Sequence, residues 1–445
     1  MSVRHKLGAQ KGLLQKIIVS GATKGLGALL TFLSFVAIAR ASSPEEFGRF
    51  SMAFAVASIL SYLLVGGQQQ TILKFYPKYS LVEDGGQSAS RALRVSTRFL
   101  AYFLIGGSIF VLAVVYGLLA AGVAFENRLP VDTLLWALGL GAGLALAEFL
   151  SNYYRAKERL LFGLLPRDVV WRFLIVVIFG VVLFEASGMA LRADIVTATE
   201  AMVIMSLVLV LAILPQVVGL ARNLRSPAEV DEATRREIES EYRATTVPFW
   251  GIALIWPIQS YIGVLLIGFL IGEADTGAFF SAKKLSALLA IISVAINQAI
   301  APVLSRASAR GDIAELRKVF LLSCVVGGIL SLSSFAVFAA FGDTILGLFD
   351  PAYESFYGIL LILCLGQVVF NVTGPAGLML SLVGKERYVL AVTTSTAIVG
   401  TITVSLCTVF FGVYGTAAAS AFTTLTWNAI FFVTALRYFR TSARA

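Results

Sequence analysis

The sequence predicts an all-α polytopic membrane protein with about twelve transmembrane helices, arranged as two parallel six-helix halves around a central cavity. Three observations predict it. First, 58% of the 445 residues are hydrophobic and 14% are charged, with a mean hydropathy of +0.86; soluble chains carry about 25% charge. Second, the apolar runs are long enough to span a bilayer and do not alternate, which selects helices over a barrel. Third, one short phrase occurs twice. Glu46-Phe47-Gly48-Arg49-Phe50-Ser51-Met52-Ala53 and Asp275-Thr276-Gly277-Ala278-Phe279-Phe280-Ser281-Ala282 both read acid-x-Gly-x-Phe-x-x-Ala at an offset of 229, and the same offset pairs Gln69 with Gln298. A match in corresponding places marks an internal repeat.

The chain opens on a basic head with Arg4, Lys6, Lys11 and Lys16. The first apolar run follows at about 17–39. Its end, Ala37-Ile38-Ala39, resembles a signal-peptide cleavage site, but the run is long for a signal and a second follows at once, so it reads as a retained helix. Further runs lie at about 48–70, 98–121, 132–153, 169–187 and 195–218, then at about 247–271, 278–304, 318–342, 358–382, 388–411 and 415–436. This defines a bundle over 1–218, a linker over 219–246 and a second bundle over 247–445. In the linker, Ser226-Pro227-Ala228-Glu229 reads as a capping box opening a solvated, mixed-charge surface helix.

Charge placement orients the spans. Groups at 4–16, 74–98, 155–172, 222–243, 306–318, 385–387 and 437–444 hold twenty-eight of the 35 lysines and arginines. Arg40, Arg49, Arg128 and Arg192 alone stand on the opposite side. The positive-inside rule puts both termini in the cytoplasm. An even number of spans per half makes the halves parallel repeats about an axis along the membrane normal.

Lys24, Lys283 and Lys284 fall inside spans. A lysine at a helix centre costs roughly 2.5–3.5 kcal/mol on insertion scales. Each either snorkels to an interface or lines a cavity that takes an anion, phosphate or pyrophosphate above all. Ser20, Lys24, Gly27 and Thr31 share one helix face, and Ser51, Ser58, Tyr62 and Gln69 form a stripe on the next span. Asn297 lies near the face of Lys283. Pro257, beside Gln259, interrupts span seven, and Gly374-Pro375, beside Asn371, interrupts span ten. Such breaks suit a hinge or a sugar-binding wall, or are kinks held by neighbouring helices. Glu148 is the best-placed acid for ion coupling; pairing with the Arg155-Ala156-Lys157 turn is the alternative.

The groups that a membrane enzyme such as a glycan polymerase or ligase needs are not expected here. The single histidine, His5, precedes the first span, which excludes a His-based metal site or triad. Cys324, Cys364 and Cys407 all lie in apolar runs and read as core packing. No connection on the outer side is long enough for a catalytic domain. No cofactor, metal or nucleic-acid partner is expected.

Ala39-Arg40-x-x-Ser43-Pro44-Glu45-Glu46-Phe47-Gly48-Arg49-Phe50 resembles the first outer turn of bacterial polysaccharide-lipid flippases of the O-antigen type. Leu266-Ile267-Gly268 and Thr276 through Leu285 resemble their helices seven and eight; Asn297, Ala301-Pro302-Val303-Leu304-Ser305 and Gly311-Asp312 continue the likeness. Gly374-Pro375, Leu380, Gly384-Lys385 and Gly412 through Ala418 resemble helices ten to twelve. The resemblance implies the superfamily of multidrug exporters and oligosaccharide-lipid flippases. It implies two six-helix bundles, alternating access, and cavity cations (Lys283, and Lys24 at an often basic position) holding the pyrophosphate of a polyprenyl-linked oligosaccharide. It further implies a role in lipopolysaccharide or exopolysaccharide assembly in the bacterial inner membrane, as a monomer beside other polysaccharide-assembly proteins. Family members commonly carry Asp where this chain has Gly263. A cation-coupled multidrug-type antiporter is the alternative function.

Overall fold

The computed structural model describes residues 3–442 apart from 83, 85, 123–126, 188–194 and 228; its described side chains run from 21 to 441 and further omit 186 and 187. Ser20, His5, the basic head, Arg192 and Arg444 lie outside the described side chains. The described residues form helices: α1 (Val3–Ala41), α2 (Pro44–Val65), α3 (Gln68–Ser80), α4 (Gln87–Ala120), α5 (Val131–Ala156), α6 (Leu160–Leu165), α7 (Trp171–Ser187), α8 (Ala198–Leu224), α9 (Glu232–Leu270), α10 (Glu273–Arg310), α11 (Ile313–Gly347), α12 (Tyr357–Val372), α13 (Ala376–Leu382) and α14 (Glu386–Ser442). A π-turn (Pro166–Val170) joins α6 to α7, and a 3₁₀ turn (Pro351–Phe356) precedes α12.

Ten helical stretches among the described residues are long and apolar enough to cross a membrane. Each of the twelve apolar runs falls mainly on helix. The counts differ because α7 has 17 residues, and because α14 carries two runs through a sharp bend at Gly412 (φ 62°, ψ −146°).

The described chain divides into two compact units, one spanning Ala22–Tyr261 and one containing Ile262–Ala445. The boundary lies inside α9, downstream of the sequence-based linker. In the first unit, α2 is the most buried helix and packs chiefly on α5. The helices approach closely because Gly141 faces the Ala57 carbonyl; a Cβ there would stand 3.0 Å from it. Phe35 on α1 closes on Phe54 at 5.1 Å between ring centroids. In the second unit, α10 packs on α12 and α11. Repeat positions Phe50 and Phe279, Ala53 and Ala282 are all fully buried. The repeated phrase is therefore buried alike in each unit, at the start of α2 and of α10.

Four sequence expectations are corrected. The second-span stripe is broken, because Gly66 and Gly67 both take left-handed backbone (φ 59° and 74°), so Gln69 starts a separate helix rather than continuing the face of Tyr62. Ser226 does not cap a helix; α9 begins at Glu232, with Asp231 Oδ2 accepting from the Thr234 N–H at 3.1 Å. The charged start of α9 is not a free surface helix. Ile238 and Tyr242 are buried against Phe75, Tyr79, Ala92 and Val95. Finally, α9 runs through Pro257 without ending.

The break at Gly374-Pro375 is present, between α12 and α13. The Asn371 carbonyl there accepts from the Gly374 N–H at 3.2 Å rather than standing free. Cys324 and Cys364 are buried and Cys407 is half-buried, all as free thiols.

Candidate functional site

Within the first unit, a group of charged side chains on α1, α5 and α7 surrounds the π-turn. Pro166 opens it, and the chain takes an extra residue before α7 resumes at Trp171. Such bulges concentrate at functional sites. Three neighbours pin the segment. Trp171 Nε1 donates to the Met205 carbonyl at 3.0 Å, Ser34 Oγ on α1 donates to the Arg172 carbonyl at 3.2 Å, and Gln216 Nε2 on α8 donates to the Phe162 carbonyl at 2.5 Å.

Asp168, on this turn, is buried. Its Oδ1 accepts from Arg167 Nε at 3.0 Å and lies 3.5 Å from Arg172 Nη1. Arg172 also donates to the Asp168 carbonyl at 2.8 Å. Arg167 reaches across to pair with Glu148 on α5. Asn152 Nδ2 donates to Glu148 Oε1 at 3.0 Å, and Arg155 Nη1 donates to Asn152 Oδ1 at 3.1 Å. Lys24 on α1 interacts electrostatically with Arg155, Asp168 and Arg167. It makes no ion pair among the described residues. Gly27, one turn from Lys24, lets α1 touch this group.

Four cations thus face two carboxylates. Arg167 engages both carboxylates and Arg172 adds to Asp168, while Lys24 and Arg155 make no ion pair with either among the described residues. Excess like charge out of bulk water is costly until an anion arrives. The arrangement suits a multiply charged phosphate group, which arginines grip through paired N–H donors. Of this group the sequence reading singled out Lys24 and Glu148. It set the Glu148 pairing with Arg155–Lys157 as one alternative; the partner is Arg167. It counted Arg167 and Arg172 only as inner-side charge and passed over Asp168. The alternating charges of Arg167-Asp168 directly before an apolar run were the available signal.

The second unit holds the other two span lysines on α10. Lys283 Nζ lies 5.8 Å from the Phe279 ring centroid, and Lys284 Nζ lies 4.8 Å from that of Phe280. Both residues are half-buried.

The remaining polar residues from the sequence are scattered. Thr31 donates to the Gly27 carbonyl at 2.6 Å. Tyr62, Gln259 and Asn297 are half-buried. Gln69 is buried, and its Oε1 accepts no hydrogen bond among the described residues. Asn371 is buried and committed to packing; Nδ2 donates to the Leu289 carbonyl at 3.0 Å, and Oδ1 accepts from Ser293 Oγ. Gly263 lies against Thr416, where a Cβ would stand 2.8 Å from Thr416 Cγ2, so an aspartate does not fit without rearrangement.

The fold is shared with solved membrane transporters. An inward-facing multidrug resistance MATE family transporter of the MOP superfamily is 13% identical, with 96% of this chain and 99% of that chain aligned at a TM-score of 0.72. An outward-facing MATE family transporter of the same superfamily is 14% identical over 97% and 96%, at 0.63. A mutant of the Vibrio cholerae MATE transporter VcmN is 13% identical over 97% and 98%, at 0.60. No curated protein sequence matches the chain. The family profile described as "Polysaccharide biosynthesis protein" matches residues 13–308. The chain is therefore a multi-pass membrane protein with a transporter fold, and it belongs to the polysaccharide biosynthesis protein family.

Proposed function

We propose that the protein is a flippase that moves a polyprenyl-pyrophosphate-linked oligosaccharide from the cytoplasmic to the periplasmic leaflet of the bacterial inner membrane by alternating access. The cargo would serve lipopolysaccharide or exopolysaccharide assembly. The observation that carries this reading is the group of four cations, Lys24, Arg155, Arg167 and Arg172, beside two carboxylates among the described residues. A pyrophosphate supplies the missing negative charge. Lys283 and Lys284 provide a second cationic station in the other unit. Thr31, Tyr62, Gln259 and Asn297, half-exposed, are available for sugar hydroxyls. Pro257 lies one turn before the boundary between the units, which supports a hinge there; Gly374-Pro375 is a second.

The antiporter reading is favoured by the fold shared with MATE transporters. It needs an acid that exchanges its proton or cation freely. Glu148 is held by Arg167 and Asn152, which weighs for the flippase.

The test is analysis of lipid-linked oligosaccharides after depletion. The inner leaflet should accumulate the cargo, and wild-type protein should clear it. Lys24→Ala with Lys283→Ala should fail to clear it at normal protein level. Normal surface glycan from that double variant refutes the cationic-site reading, and drug sensitivity without glycan loss favours the antiporter.

A further inference from the structure

A separate basic cavity of about 610 Å³ opens in the second unit, where the α13–α14 turn and the first turns of α14 meet its last turns. The bend at Gly412 brings the two ends of α14 together. The lining includes Lys385, Arg387 and Arg437, with Tyr388 and Tyr438, and contains no carboxylate among the described residues. The walls are braced. Lys385 Nζ lies 5.3 Å from the Tyr438 ring centroid, and Tyr388 Oη is 3.0 Å from Thr434 Oγ1. The volume falls within the range of small-molecule sites, roughly 300–1,000 Å³.

We propose that this cavity holds the phosphate headgroup of an anionic phospholipid. Three cations with no neutralising acid among the described residues call for an anion, and Arg387 and Arg437 offer fork-shaped donors suited to phosphate oxygens. Two further residues argue for a lipid over a free phosphate. Leu390 is three positions along the helix from Arg387, and Val433 is four from Arg437, so each shares the face of its arginine. They are 42% and 47% exposed. Both lie on the span side of the cations. A ligand with an anion at one end and hydrocarbon beyond it matches this order; inorganic phosphate uses only half of it. The cations also belong to the group that the sequence places at the cytoplasmic interface, where anionic headgroups attract basic residues. The site is independent of Lys24, Arg172 and Lys283, so it stands or falls apart from the flippase reading.

The test uses full-length protein, delipidated in neutral detergent and titrated with phosphatidylglycerol, phosphatidylcholine or inorganic phosphate. Native mass spectrometry reads retention and thermal unfolding reads stabilisation. Phosphatidylglycerol should be retained over phosphatidylcholine by roughly tenfold or more. Arg387→Ala with Arg437→Ala should bring that ratio near one, while Arg387→Lys with Arg437→Lys keeps most of it. Unchanged elution and unchanged phosphatidylcholine binding verify that the alanine variant is folded. Equal retention of the two lipids by wild type, or a preference untouched by the alanine pair, overturns the proposal. Saturation by inorganic phosphate that excludes phosphatidylglycerol overturns its lipid assignment.

Discussion

Gly27 on α1 lies directly against Asp168 on the π-turn: a Cβ at position 27 would stand 2.6 Å from the Asp168 carbonyl oxygen and 3.2 Å from Arg172 Nη1. The absence of one side chain allows the helix carrying Lys24 to approach the charged turn. Gly27→Ala must push α1 or the turn aside, at about 1–3 kcal/mol for overpacking. Thermal unfolding in detergent should show the loss, and glycan complementation should fall with it. Gly25→Ala, two positions away and facing open space, is the control and should change neither.

Asp168→Asn removes the carboxylate shared by Arg167 and Arg172 and leaves both guanidiniums less compensated. Breaking a buried pair from one side costs about 3–5 kcal/mol. Replacing Arg172 by Gln in the same chain should restore part of it, because the two residues interact. Additive losses in a double-mutant cycle would contradict the pairing.

The docked start of α9 should respond to acid. Glu239 is 2.6 Å from Arg91, 3.5 Å from Arg98, 3.6 Å from Arg235 and 3.9 Å from Arg243. Glu241 is 2.6 Å from Lys78 and accepts from Tyr79 Oη at 2.9 Å. Burial alone would raise both carboxyls. The hydrogen bonds and neighbouring cations outweigh it and hold both below the usual value of 4.5. A depressed carboxyl stabilises the docked form above its unfolded pKa, and that contribution is lost as pH falls through the folded one. A spin label at position 234 (Thr234→Cys) should be immobile at neutral pH and gain mobility below about pH 4. Glu239→Gln should make it mobile at neutral pH and flatten the response.

Asn371 is a structural clamp between α10 and α12. Asn371→Ala removes the partner of the Ser293 hydroxyl and the second hydrogen bond on the Leu289 carbonyl, whose helical bond remains; the buried hydroxyl left unpaired costs roughly 1–3 kcal/mol. Protein that still folds should transport normally. A transport defect at unchanged stability would instead make Asn371 a cargo residue.

Pro257 lies within an unbroken helix, one turn from the boundary between the units. Pro257→Ala restores a backbone hydrogen bond and should raise or preserve the unfolding temperature. Transport should slow if Pro257 serves as a hinge in the cycle, and a fully active variant would remove it as one.

The primary structure by itself determined the class of molecule, the positions of the spans and the internal repeat. Those depend on local quantities, because a run of apolar residues either spans hydrocarbon or does not, and buried pairs such as Phe50 and Phe279 recur at a fixed offset. Three results needed the folded chain. Gly66 and Gly67 lie inside the apolar run 48–70, but their left-handed backbone divides α2 from α3. The mixed charges of 232–243 looked solvated, but their partners, Lys78, Arg91 and Arg98, come from helices far away in sequence. The charged group around Asp168 draws on α1, α5 and the π-turn, and no periodicity within one segment reports which side chains of another will face it. Hydrophobicity is a property of each stretch, whereas the worth of a charge depends on what stands opposite, and packing alone decides that.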